Sequence, residues 1–187
     1  TRDIDVLTEL AAHDAVRVTL SVTTLRNEIH RAMEPRAAVP KRRLRAIRAL
    51  AAAGISVGVN VAPVVPGLTE HEMPNTLAAA TEAGAPRPGY IVLRLPFGVK
   101  NLFVDWLEHH FPDRRDKVVH RLESLRGGRL NDPRFESRMK GEGPYADQIR
   151  DLFEVTTRKL GLNEEGGALS TAAFRHPRVD AEQIDLF

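Results

Sequence analysis

Three stretches of this sequence place side chains or carbonyls where chemistry is done in proteins built from parallel strands. In VRVTLSVTT, residues 16–24, the hydroxyls of Ser21, Thr23 and Thr24 close a β-branched run. They can hydrogen-bond a ribose or a carboxylate, or serve as plain helix caps. In NVAPVVPG, residues 60–67, two prolines stiffen the turn and leave carbonyls without ladder partners. Such carbonyls can meet the edge of a bound base, although a rigid strand-to-helix connection reads the same way. Arg94 interrupts an apolar run that ends at Pro96. A guanidinium there needs an anionic partner, either a ligand carboxylate or a structural Asp or Glu, because an unpaired buried charge is very costly.

Other polar groups read more plainly. Glu34 and Arg36, in MEPRAA, follow a short helix and precede a proline, as an exposed pair would. His109 and His110 stand together at a helix end, where a cation favours the dipole, and the seven histidines show no metal-ligand spacing. KRRLRAIR, residues 41–48, has the charge to touch phosphates but also the spacing of the polar face of an amphipathic helix. The chain has no cysteine, which excludes a disulfide framework and a thiolate metal site within it. The 27 Lys and Arg against 25 Asp and Glu leave a net charge of +2, and this bulk charge argues for no nucleic acid. No apolar run is long enough to span a bilayer, so no membrane partner and a cytoplasmic location are expected.

The elements that must position these groups follow from apolar spacing. Residues 2–13 read as a helix and 16–22 as a strand; residues 40–53 read as a helix stopped by Gly54, and 55–61 as a second strand. A helix over 70–83 ends at Gly84, and 90–95 reads as a third strand. A helix and two loops between successive strands is the connection that parallel pairing demands. After Pro96 the pattern turns helical, over 99–110, 113–126 and 145–160, with a Gly-, Pro- and charge-rich segment at 127–144 that reads as an ordered loop or a substrate-side cover. From Asn163 the periodicity stops, as in a flexible tail. The expected class is α/β, either barrel-like or doubly wound, and the start at Thr1, inside a helical pattern, reads as a fragment.

VRVTLSVTT followed by MEPRAAVPKRRLRAIRALAAAGISVGVNVAPVVPGLTEHE resembles the second half of the radical S-adenosylmethionine (SAM) barrel in the spore-photoproduct-lyase-like branch. In that branch a strand ending in Ser leads to a Glu-Pro turn, a helix and a Val-Ala-Pro strand end. GYIVLRLP, NLFVDWLEHHFPD and the segment 126–146 resemble a bacterial subgroup of it. The resemblance implies the C-terminal half of a partial (β/α) TIM-like barrel over 1–97, an added helical C-terminal region over 98–162 and a tail over 163–187. It further implies a 4Fe-4S cluster on a Cys-x-x-x-Cys-x-x-Cys loop that lies outside these residues, SAM on the open iron, and a 5′-deoxyadenosyl radical as hydrogen abstractor. These 187 residues alone would then be inactive. By position, Ser21 matches the polar strand-end residue that faces SAM, and Asn60, Val61, Ala62 and Pro63 match the strand end lining its adenine. Thr23 and Arg94 join them by facing direction, and Glu34 matches either a SAM-side or a structural residue.

The sequence ends Gln183-Ile184-Asp185-Leu186-Phe187, which resembles the short motif by which bacterial repair and replication proteins bind the DNA polymerase sliding clamp. Leu186 and Phe187 would fill an apolar pocket, with Gln183 at its rim; the same tail could instead dock its Phe on its own domain. Three classes therefore compete: a radical SAM enzyme acting in DNA repair or nucleic-acid metabolism, a clamp-associated binding module without chemistry, and an unrelated α/β-barrel enzyme. The third calls for a Gly-rich phosphate loop or a Schiff-base Lys inside a strand. Neither is visible, since Lys41 lies on a helix and Lys100 after the last strand.

Overall fold

The structure, a computed structural model, describes residues 2–162 and 167–175. Among these, strands β1 (Val18–Ser21), β2 (Val57–Val64) and β3 (Arg87–Val92) form a three-stranded sheet in the order β1-β2-β3, with both pairings parallel. The central strand is the longest and most apolar. Val57, Val59, Val61 and Val64 are all buried.

Helix α1 (Ile4–Ala11) precedes β1, and α2 (Asn27–Met33) and α3 (Pro40–Ala52) lie between β1 and β2. Pro40 opens α3, where its fixed φ fits and its missing N–H costs nothing. Ile47 and Leu50 point into the core, while Lys41, Arg42, Arg45 and Arg48 face solvent, so the basic run is the polar face of this helix. The stop comes where glycine permits it: Gly54 has φ +76°, its N–H reaches the Ala51 carbonyl, and the Ile55 N–H reaches that of Leu50. Gly84, at φ +101°, ends α4 (Met73–Glu82) by the same pair of bonds, to Thr81 and Ala80.

A short 3-10 turn, Glu70–Glu72, leads into α4. After β3 come α5 (Val99–His110), α6 (Pro112–Ser124) and α7 (Pro144–Lys159). Ile47 and Leu50 of α3, Leu77 of α4 and Phe153 of α7 share one core with the valines of β2 and with Tyr90, whose ring sits 4.8 Å from that of Phe153. The last helix therefore packs into the core of the sheet. A second core, with Ile29, Val65, Leu68 and Leu95 against Phe103, Leu107, Val118 and Leu122, places α5 and α6 at the C-terminal ends of the strands.

The strand boundaries differ from the sequence reading, most at the end of β2 and at both ends of β3. β2 runs on to Val64, past the expected end at Val61, with its ladder to β3 slipping between Val61 and Val64. β3 begins earlier, at Arg87, and ends at Val92. Pro88 masked its start, but an edge strand tolerates a proline because one side has no ladder to lose. Arg94 therefore lies beyond the strand rather than inside it. The described residues form an open sheet of three strands without barrel closure. Segment 127–144 is ordered along the free edge of β3, where the Val92 N–H donates to the Met139 carbonyl at 2.8 Å. Of the expected tail, 167–175 returns to the sheet: Arg17 donates to the Gly167 carbonyl at 2.6 Å and the Ser170 N–H to that of Asp14 at 3.0 Å.

Candidate functional site at the strand ends

Strand alternation divides the sheet into an apolar face and a polar one. Val18, Leu20, Val57, Val59, Val61 and Tyr90 turn toward the helices. The opposite face shows two rows that the pairing sets side by side: Thr19, Gly58 and Arg87, then Ser21, Asn60 and Gly89. Sequence reasoning singled out Ser21 and Asn60 but not the two glycines between and beside them. Those glycines keep the face bare. A Cβ at Gly58 would come within 3.2 Å of both the Thr19 Oγ1 and the Arg87 carbonyl, and one at Gly89 within 3.4 Å of the Asn60 Oδ1. The result is a cleft of about 360 Å³ lined by Arg17, Thr19, Gly58, Asn60, Arg87 and Gly89 among others. Neither the Ser21 hydroxyl nor the Asn60 amide has a hydrogen-bond partner among the described residues, so both remain available to a ligand.

At the C-terminal ends the hydroxyls serve the protein itself. Thr23, 2 % exposed, has its Oγ1 at 2.9 Å from the Ala62 carbonyl and 3.0 Å from the Glu34 Oε2, which ties the exit of β1 to that of β2. The single hydroxyl proton of Thr23 is shared between these two acceptors, and the Ala62 carbonyl keeps a second lone pair for a base edge. Val61 turns its side chain into the core and can offer a ligand only backbone, whereas Ala62 and Pro63 are half-buried at the strand end. Thr24 caps no helix. Its hydroxyl donates to the buried Glu72 carboxylate at 2.6 Å and accepts from the Arg26 N–H at 3.0 Å.

Glu34 does not pair with Arg36. It is half-buried, accepts from Arg43 of α3 at 3.1 Å and lies 3.6 Å from His30 Nδ1. Arg43 also donates to the carbonyls of Ser21 and Ala38, both at 2.9 Å. The Glu-Pro turn is thereby clamped to the end of β1. Nothing marked Glu34–Arg43 in the sequence, since Arg43 sits in a run of three basic residues, Lys41 to Arg43, in which only its position on the helix distinguishes it.

Arg94 stands apart from this set. β1 and β3 flank β2, so Arg94 lies two strands from Ser21, on the order of 10 Å in the hydrogen-bonding direction. No carboxylate pairs with it among the described residues; its Nη1 contacts the Met139 sulfur at 3.9 Å, and its Nε is buried without a partner. The structural ion pair considered for it is not formed. His109 and His110 lie exposed at the end of α5, and no group of His, Asp and Glu among the described residues is arranged to hold a metal ion. Gln183, Ile184, Leu186 and Phe187 lie outside the described residues.

Residues 1–80 match the family model of the radical SAM superfamily. The match spans α1 through most of α4 and thus contains Ser21, Thr23 and Asn60 to Pro63, but not Arg94. An uncharacterized protein of Mycobacterium tuberculosis strain H37Rv is 32% identical over 114 residues, which are 60% of this chain and 34% of that protein. An uncharacterized protein of Mycobacterium bovis matches to the same extent. One from Acidianus two-tailed virus is 41% identical over 66 residues, 35% of this chain and 21% of the viral protein. The chain spans about a third of the length of the mycobacterial relatives. No solved structure matches it significantly. Among the described residues, no helix is long and apolar enough to cross a membrane.

Proposed function

We propose that this chain supplies the SAM-facing wall of a radical SAM enzyme whose 4Fe-4S cluster is ligated by cysteines outside these 187 residues. The observation that carries the reading is the bare polar face on which Ser21, Asn60 and Gly89 lie side by side, within or next to the segment matching the superfamily. An adenosine offers ribose hydroxyls and ring nitrogens on a flat body, and needs donors and acceptors on a surface free of bulk. Gly58 and Gly89 provide that surface, and a side chain at either would press on Thr19 or Asn60. The cluster has no place on this chain, which carries no cysteine. Bound to such a cluster and given one electron, SAM would supply methionine and a 5′-deoxyadenosyl radical that takes a hydrogen atom from a substrate.

The chain's own part is to bind and orient. Ser21 and Asn60 hydrogen-bond the nucleoside, Ala62 and Pro63 line its base, and Thr23 with the Glu34–Arg43 pair holds the two strand ends in register. The resemblance to the spore-photoproduct-lyase-like branch and the tail motif support a place in DNA repair or nucleic-acid metabolism, with Gln183, Ile184, Leu186 and Phe187 as a tether to the sliding clamp. The decisive experiment is anaerobic reconstitution of the full-length protein with iron and sulfide, followed by reduction in the presence of SAM. 5′-Deoxyadenosine should form, and Asn60→Ala should raise the SAM concentration needed about tenfold, as loss of one or two ligand hydrogen bonds does. No product above that of a variant lacking the cluster cysteines would sink the enzyme reading. For the tether, deletion of residues 183–187 should abolish retention of the full-length protein on immobilised clamp; unchanged retention would remove it.

A further inference from the structure

Two adjoining clefts beside α6 are left unused by the SAM reading. One, of about 420 Å³, is lined by Arg31, Ala32 and His110 among others. The second, of about 360 Å³, is lined by Arg26, Gly67, Glu70, Arg114, Lys117 and Arg121 among others. Glu28 and Phe111 line both, so the two are continuous. Since α2 follows the end of β1 and Gly67 the end of β2, the clefts lie at the end of the sheet where parallel strands collect ligands. Gly67 sets the approach of α6. At φ +88° it carries no side chain, and a Cβ there would come within 3.2 Å of Val118 and 3.4 Å of the stems of Lys117 and Arg121.

The charge along this path is one-sided. Arg114, Lys117 and Arg121 recur at i, i+3 and i+7 of α6 and so share one side of the helix. Five cations line the clefts, those three with Arg26 and Arg31, against two carboxylates. Both carboxylates are taken: Glu28 accepts from Arg26 at 3.1 Å, and Glu70 accepts from Arg121 at 2.5 Å and from Tyr145 at 2.8 Å. Arg31, Arg114 and Lys117 are exposed and form no ion pair among the described residues. The neighbouring acids of α6, Asp113 and Asp116, line neither cleft, and Asp116 accepts from Arg115 at 2.6 Å.

Aromatic rings stand where the clefts meet. The half-buried Phe111 has the ring of Trp106 at 5.4 Å and that of the exposed His110 at 6.5 Å. Trp106 is fixed in turn, its indole N–H donating to the Ala32 carbonyl at 3.0 Å. Arg31 thus lies in the cleft on one side of Phe111, and Arg114 with Lys117 in the cleft on the other. A phosphate alone would leave the rings idle, and an apolar ligand would leave the cations idle. A single strand engages both, because flat bases alternate along it with phosphates; in a duplex the bases are stacked on one another.

We infer that these clefts bind single-stranded nucleic acid, with backbone phosphates on Arg31, Arg114 and Lys117 and a base against Phe111 and His110. The inference deepens the nucleic-acid part of the reading above and rests on that part, not on SAM binding or the clamp tether.

The test is fluorescence anisotropy of the anaerobically purified full-length protein with a fluorescein-labelled oligodeoxythymidylate, without SAM, reductant or clamp, so that its failure leaves those readings untouched. Arg114→Gln and Lys117→Gln should each weaken binding about fivefold and lower the slope of log affinity against log salt by about 0.7. Both residues are exposed, so the variants keep the fold. Glu28→Gln removes a negative charge where the clefts join and should tighten binding about twofold. Phe111→Leu should weaken it about tenfold with the slope unchanged, because stacking releases no counterions. Should that half-buried position unfold the protein, His110→Ala reads the same contact from an exposed one, with a loss of about fivefold. Lys41→Gln, on the solvent face of α3, should bind as the parent does. No binding by the parent, parental binding by both α6 variants or by both ring variants, or an equal loss in Lys41→Gln would overturn the inference. So would displacement of the probe by polyglutamate, thymidine monophosphate or duplex DNA as readily as by the unlabelled single strand.

Discussion

Arg43 donates to the Glu34 carboxylate at 3.1 Å and, with its other nitrogens, to the carbonyls of Ser21 and Ala38, so one side chain of α3 holds both the Glu-Pro turn and the end of β1. The pair is largely shielded, with Arg43 14 % and Glu34 27 % exposed. Arg43→Ala should destabilise the fold by about 1–3 kcal/mol, because it strips partners from a half-buried carboxylate and two carbonyls. Equilibrium urea unfolding measures this. Arg36→Ala, at an exposed position without such bonds, should stay within about 0.5 kcal/mol of the parent.

Thr24 and Glu72 join the loop after β1 to the turn before α4 through a 2.6 Å hydrogen bond, with the Leu25 N–H adding a second at 3.3 Å. Glu72 is 7 % exposed and its Oε1 is buried without a partner. Removing the hydroxyl leaves the carboxylate with a single long bond. Thr24→Val should therefore cost about 1–3 kcal/mol, while Glu72→Gln, which keeps an acceptor and drops the charge, should cost less. Thermal unfolding of the two variants checks the order; a Thr24→Val protein as stable as the parent would contradict it.

Gly84 has φ +101°, and a Cβ there would stand 2.6 Å from the Cβ of Ala51 on α3. Gly84→Ala suffers both an unfavourable backbone and a clash between two helix ends that have no flexible atoms to give way. A loss of about 2 kcal/mol or more is expected. Gly54→Ala, where φ is +76° but nothing lies within 4 Å, should lose only the backbone part, about 1 kcal/mol. Denaturant midpoints of the two variants, measured side by side, separate strain from collision.

Tyr145 donates its hydroxyl to the Glu70 carboxylate at 2.8 Å, and the Arg121 guanidinium lies 4.6 Å over its ring. Burial, then the bond to Glu70 and its negative charge, push the phenol above its ordinary pKa. For a group raised on folding, the associated stability is complete below the unfolded value near 10 and is lost as pH climbs from there toward the raised folded value. The parent should weaken steadily above about pH 10. Tyr145→Phe should lose about 1 kcal/mol below that pH and show a flatter decline above it. Urea midpoints across the alkaline range test both halves.

Much of the candidate site was legible in the sequence because it depends on local rules. The runs that carry Ser21 and Asn60 could be read as strands since β-branched runs, helix stops at Gly54 and Gly84, and the spacing of parallel units all follow from neighbours in the chain, although Asn60 lies inside β2 rather than at its end. The uses of the hydroxyls were not legible. Thr23 meets Ala62 across 39 positions and Thr24 meets Glu72 across 48, and a threonine bound for a ligand reads the same as one bound for a distant carbonyl or carboxylate. Arg94 was placed inside a strand because apolar periodicity continued through it. The edge position of β3, which admits Pro88 and moves the strand toward the N-terminus, is a property of the sheet.

The sequence by itself determined the α/β class, the parallel units, the polar face of α3 and the absence of any thiolate ligand, all of which rest on residue type and short-range spacing. Only the tertiary structure decided that Glu34 belongs to Arg43, that Gly58 and Gly89 open the face beside Asn60, that α7 completes the core of the sheet, and that Arg94 meets the Met139 sulfur rather than a carboxylate. Those pairings join residues far apart in the chain. Which charge meets which is settled by where packing brings each backbone, and spacing along the sequence carries no record of it.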